Sequence, residues 1–149
     1  MGGDTIIGTN HQGVVVSLVE RKTGYAKLIR VPSKEAAGVT QAIKKALRPF
    51  KEMVLTITFD NGKEFAGHEK IAKALKADCY FADPYSSWQR GSNENLNGLV
   101  RQYFPKKSTD FTQVTDAEIA EIERRLNNRP RKRLGWKTPA QVFSGKSLN

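Results

Sequence analysis

The apolar residues of this chain fall first into strand-like runs and only later into helical spacing. The first run is Asp4-Thr5-Ile6-Ile7-Gly8. Gly13 to Val19 follows, with Val14, Val16 and Leu18 on one face and Val15 and Val19 on the other. A strand apolar on both faces is expected to be buried on both. Lys22-Thr23-Gly24 reads as a turn, and Tyr25 to Val31 returns as the second arm of a hairpin. Pro32-Ser33 then opens a predicted helix with Ser33 as its N-cap. Ala36, Val39, Ile43, Ala46 and Leu47 share its apolar face, and Arg48-Pro49 stops it.

The second half alternates. Met53 to Phe59 is apolar and β-branched enough for a central strand, and Glu64 to Lys76 reads as a helix packing through Phe65, Ile71, Ala72 and Leu75. A short strand, residues 78–81, leads to the loop Asp83-Pro84-Tyr85-Ser86-Ser87. Helical spacing resumes by Ser92 through Leu96, Leu99, Val100, Tyr103 and Phe104, and Pro105 ends it. Thr115 and Glu118 form a capping box for a last helix striped by Ile119, Ile122 and Leu126, which Pro130 terminates. The predicted order is βββαβαβαα, an α/β arrangement with a mixed sheet and helices on its faces. The pattern leaves the strand order open.

Composition narrows the partners. The chain has 149 residues, within the range of one domain, and carries 25 Lys and Arg against 15 Asp and Glu, a net charge of +10. That excess favours polyanions, phosphate backbones foremost, although basic proteins of the ribosome or membrane surface share it. No run approaches the roughly 18–20 apolar residues of a membrane span. Met1-Gly2-Gly3-Asp4 has neither the charged nor the apolar segment of a secretory signal, so a cytoplasmic location is expected. Cys79 is the lone cysteine and lies in a strand-like run, where a structural thiol outweighs a nucleophile.

Three acidic residues stand where they can serve chemistry: Asp4 opening one apolar stretch, Asp60 ending another, and Glu94 near the start of a helix. Each has an ordinary reading too. Asp60-Asn61-Gly62 is a favoured turn sequence, and Glu94 shares a helix side with Asn97 and Arg101, one turn after Arg90, as in a surface ion-pair ladder. Brought together, the three would bind hard divalent cations, which take oxygen ligands and activate attack on a phosphodiester. A basic chain with such a centre suggests an enzyme acting on nucleic acid. His11, His68 and Cys79 are too scattered to offer a rival zinc site.

Four blocks carry a more specific signal: Gly3 to Gly8, Thr58 to Phe65, Asp83 to Asn95, and Asn127 to Pro139. In these blocks, and in the 33 residues between Asp60 and Glu94, the chain resembles the DDE transposase and retroviral integrase superfamily, nearest to bacterial insertion-sequence transposases. The resemblance spans nearly the whole chain in order. It implies a ribonuclease H-like fold with a central five-stranded mixed sheet flanked by helices, in which Asp4 and Asp60 occupy adjacent central strands and the Glu94 helix closes over them. It further implies that all three ligate two Mg²⁺ or Mn²⁺ ions for DNA strand cleavage and strand transfer. Asn61 and Glu64 are candidate supporting neighbours, and so is His68, one helical turn from Glu64, although a packing or surface role outweighs it there. The expected partners are DNA, both element ends and target, and further copies of the chain as a homodimer or higher oligomer, with no membrane; the expected location is the bacterial nucleoid.

For DNA contacts the aromatic and basic residues before Glu94 are the first candidates: Tyr85, Ser86, Trp88, Gln89, Arg90 and Asn93. Tyr85 and Trp88 have the alternative of pinning the loop to the core. Lys63, Lys106, Lys107, Arg131, Lys132 and Arg133 are candidate phosphate contacts. Two departures from the family pattern matter. Only Met1-Gly2-Gly3 precede Asp4, so that strand is expected to fray, and no end-reading helix-turn-helix is found in residues 1–149, which are expected to form the catalytic core alone. Two rivals remain: a binding or oligomerisation module, and an RNA-strand nuclease of the ribonuclease H type. The Asp-Pro-Tyr-Ser block and the basic tail count against the nuclease.

Overall fold

The computed structural model describes residues 1–83 and 91–147. Its sheet has five strands: β1 (Gly2–Ile7), β2 (Val14–Val19), β3 (Ala26–Val31), β4 (Thr56–Phe59) and β5 (Asp78–Phe81). They lie in the order β3-β2-β1-β4-β5. The hairpin strands pair antiparallel, whereas β1 with β4 and β4 with β5 are parallel. Five helices are described: α1 (Ala36–Leu47), α2 (His68–Leu75), α3 (Gly91–Tyr103), α4 (Asp116–Asn127) and α5 (Pro139–Ser147).

The sheet separates two apolar layers. Val39, Ile43 and Leu47 of α1 and Ile71 and Leu75 of α2 pack with Phe65 on one face, against Val14, Val16, Leu18, Ile57 and Phe59. Leu96 and Val100 of α3 and Ile119, Ile122 and Leu126 of α4 pack on the other, against Ile6, Val15, Val19, Ala26 and Leu28. Every residue of β2 is buried, as its two-faced apolar pattern requires.

Several boundaries differ from expectation. Helix α1 starts at Ala36, with Glu35 in the cap position. Ser33 Oγ instead accepts from the Glu35 N–H at 3.3 Å, turning the approach rather than capping the helix. The 53–59 strand shortens to β4 because the Met53 and Val54 N–H groups bond back to Phe50 O in a turn. The 64–76 helix divides into a 3₁₀ turn, Lys63–Phe65, and α2, which ends on Lys76 in a left-handed conformation. The Thr115–Glu118 capping box is present.

Helix α5 has no counterpart in the predicted order. Its apolar periodicity is poor, and Phe143 holds it by stacking on Tyr25 at 4.2 Å and meeting Phe50 edge-on. Its start was nevertheless readable: Thr138 and Gln141 bond reciprocally in a capping box, and Pro139 fits a first helical position.

Candidate active site

The register of β1 against β4 decides the position of two carboxylates. Gly2 pairs with Thr58 and Gly3 with Phe59. Two parallel strands in that register put Asp4 beside Asp60, on the same face. The Asp60 N–H donates to Gly3 O at 3.0 Å, which continues the ladder one step past β4. The expected fraying before Asp4 does not occur, because Gly2 and Gly3 are paired on both sides, to Val19 and Leu18 and to Thr58 and Phe59.

Helix α3 lies over Asp4. The Asn97 amide donates to Asp4 Oδ2 at 2.9 Å, and the Asn97 carbonyl oxygen accepts from the buried Ser17 hydroxyl at 2.8 Å. The Thr5 N–H fixes the other carboxylate oxygen at 2.7 Å. One turn on, Arg101 donates to Ile7 O at 2.7 Å. One turn back, buried Asn93 donates to Ser17 O at 3.4 Å. It lies so close to Gly2 that a Cβ there would overlap the Asn93 side-chain oxygen. Asn93, Asn97 and Arg101 therefore form a polar seam along the helix face turned to the sheet.

Burial pushes the Asp4 carboxyl up to about 6, and the charges of Asp60 and Glu64 add to that rise, while the bonds from Thr5 and Asn97 oppose it. Glu64 is itself buried and pairs with Lys34 at 3.3 Å. Gly62 makes room for it, since a Cβ would strike the Glu64 carboxylate. The result is a negatively charged, partly dehydrated recess at the centre of the sheet. Hard cations with oxygen preference suit such donors.

The remaining candidates are placed as follows. Glu94 is exposed on α3, and among the described residues no three His, Cys, Asp or Glu side chains come close enough to share a metal ion. Asn61 is exposed. His68 has its Nδ1 within 3.2 Å of Phe65 O and its ring edge-on to Phe81. Asn93, expected to reach DNA, is a packing residue between α3 and the sheet. Tyr85, Ser86, Trp88, Gln89 and Arg90 lie outside the described residues. Lys63, Lys106, Lys107 and Lys132 are exposed, and Arg133 is anchored to Lys22 O at 2.9 Å.

Sequence reasoning missed Ser17, Lys34 and the positioning role of Asn97. Only the Glu94–Asn97 spacing hinted at the last, and helical spacing does not say which side faces the sheet.

No protein-family model matches the chain. The transposase for insertion sequence element IS4351 of Bacteroides fragilis is 51% identical over 140 residues, which cover 94% of this chain and 43% of that protein. The transposase InsI for IS30A of Escherichia coli is 43% identical over 142 residues, covering 95% of this chain and 37% of that protein. The chain is a homologue of insertion-sequence transposases. It spans less than half the length of these two relatives. Among solved structures, the catalytic core domain of BIV integrase superposes with a TM-score of 0.69 at 21% identity, over 99% of this chain and 95% of that one. A chain of the simian T-cell lymphotropic virus intasome, in a complex with PP2A regulatory subunit B56 gamma, gives 0.74 at 18% identity, over 94% of this chain and 52% of that one. The fold is thus the ribonuclease H-like fold of integrase cores. Among the described residues, no helix is long and apolar enough to cross a membrane.

Proposed function

We propose that residues 1–149 are the catalytic core of a DNA transposase that cuts and joins DNA strands by metal-assisted phosphoryl transfer. The observation that carries this reading is the in-register placement of Asp4 beside Asp60 on adjacent parallel strands, in a recess whose charge burdens Asp4. The likeness to parts of two insertion-sequence transposases, 43% of one and 37% of the other, supports it. Asp4 and Asp60 would hold the cation, and Glu94, exposed on α3, would complete the set. Two ions, Mg²⁺ or Mn²⁺, would supply activation of the attacking hydroxyl and charge neutralisation at phosphorus.

The protein's own work is positional. Asn97 and Thr5 aim the two oxygens of Asp4, and Ser17 fixes Asn97, so the carboxylate keeps one orientation before any ligand arrives. Arg101 ties α3 to the end of β1 and keeps the helix that bears Glu94 in register with the sheet. The net charge of +10 draws the DNA backbone, and two or more copies act together because both element ends must be handled at once.

The test is calorimetric titration of Mn²⁺ into the wild type and Asp60→Asn, with nicking of supercoiled plasmid followed in the same samples. The expected result is binding and nicking in the wild type and loss of both in the variant. Undiminished nicking by Asp60→Asn would sink the assignment of the site.

A further inference from the structure

A cavity of about 340 Å³ opens between the end of β2, the first turns of α3 and the segment that follows α4. Arg21, Arg131 and Arg133 line it together with Ser92 and Asn95 of α3, over a floor that includes Leu99. Among the described residues no carboxylate lines it. Several cations elsewhere pair with acids: Arg124 and Arg125 with Glu121, Arg30 with Asp116, Lys27 with Glu123. Here Arg131 donates through Nη2 to Leu126 O at 3.0 Å, and Arg133 donates to Lys22 O. The Nε of Arg131 is buried without a hydrogen-bond partner. A buried cationic donor left unpaired is costly, and such an orphan calls for an acceptor that the described residues do not supply. Burial, then the charges of Arg129 and Arg133, hold the Arg131 guanidinium below its ordinary pKa.

We infer that this cavity is a phosphate-binding site that takes one phosphodiester of a nucleic-acid strand, gripped by Arg21, Arg131 and Arg133. Guanidinium forks match phosphate oxygens in pairs, and the positive end of the thirteen-residue α3 helix adds to the attraction. Leu99 and its apolar neighbours leave a surface for the sugar. This inference rests on the reading of the chain as a nucleic-acid enzyme. It adds Arg21 to the contacts and gives them a geometric purpose. Asn95 lines the cavity while Asn97, two residues on, holds Asp4, so one rigid helix sets the register between a gripped phosphate and the acidic recess.

The experiment is fluorescence anisotropy of a fluorescein-labelled DNA duplex with the full chain in EDTA, across a series of KCl concentrations. Arg21→Gln and Arg131→Gln are compared with Lys45→Gln, an exposed charge on α1 beyond the opposite face of the sheet. Each arginine variant should bind roughly tenfold more weakly, as expected for a lost charge-assisted contact. The slope of log affinity against log salt should flatten by about 0.9. Lys45→Gln should change neither quantity comparably. Arg131 also holds the Leu126 carbonyl, so thermal melts accompany the binding, and Arg21→Gln decides the matter if Arg131→Gln melts early. Arginine variants that bind like Lys45→Gln, or a wild type that binds no duplex, would overturn the site. Arg21-dependent binding by a wild type that never nicks plasmid would instead remove the catalytic reading and leave the phosphate site standing.

Discussion

The two faces of the central sheet are built differently. The face under α1 and α2 is closed mainly by apolar side chains, with Phe59 stacked on Phe65 at 4.6 Å, no accessible surface on either ring, and Thr40 of α1 also buried there. The face under α3 and α4 has an apolar floor too, but a polar seam runs through it: Asp4, Ser17, Asn93, Asn97 and Arg101. A core needs no hydroxyls, amides or carboxylates, and burying them costs free energy unless each is paired. Such groups gather around the Asp4 carboxylate on that side. The other side offsets that cost with packing.

The largest test of this division is on the apolar side. Phe59→Ala should lower the unfolding free energy by about 3–5 kcal/mol, the range for large aromatic truncations in cores, read from urea denaturation midpoints. A loss below about 1 kcal/mol would mean that this face is not the stabilising one.

The next test concerns Asp4 in metal-free buffer with EDTA. Its carboxyl is raised from 3.8 to about 6 in the folded protein, so the native state holds the proton more tightly than the unfolded chain. The penalty is absent below about pH 4, grows as pH rises toward 6, and is complete above it. Asp4→Asn removes a titrating group and should therefore stabilise the protein above pH 6 by on the order of 2 kcal/mol, with the gain gone near pH 4. A variant less stable than the wild type at pH 8 would contradict the burial of charge on this face.

The smallest expected stability effect is that of Asn97→Ala, about 1 kcal/mol, since Asp4 and Ser17 each lose a partner in a half-buried setting. Its effect on chemistry should exceed its effect on folding. With the Asn97 donor gone, the Asp4 carboxyl rises further, so Mn²⁺ affinity should fall more at pH 6 than at pH 8. Equal losses at both values would leave Asn97 a packing residue only.

How much of this was legible beforehand varies by element. The buried β2, the hairpin, the α4 capping box and the helical spacing of Leu96 and Val100 were all readable, because each rests on neighbours a few residues apart. Helix α5 has little local pattern because Phe143 anchors it to the distant rings of Tyr25 and Phe50, although its Thr138–Gln141 cap is readable in the sequence. Asn93 read as a nucleic-acid contact because it sits in a polar stretch, whereas packing turned it inward toward Gly2 and Ser17.

By itself the sequence determined most of the strands and helices, the excess of positive charge, and the acidic residues worth suspecting. These follow from local periodicity, turn chemistry and composition. Only the tertiary structure decided that β1 and β4 are neighbours in the register that sets Asp4 beside Asp60, that α3 shows its amides to the sheet, that Glu94 is exposed on that helix, and that Arg21 shares a cavity with Arg131 and Arg133. Strand pairing, burial and charge crowding depend on contacts between residues tens of positions apart, and no local pattern encodes which of those contacts the folded chain will make.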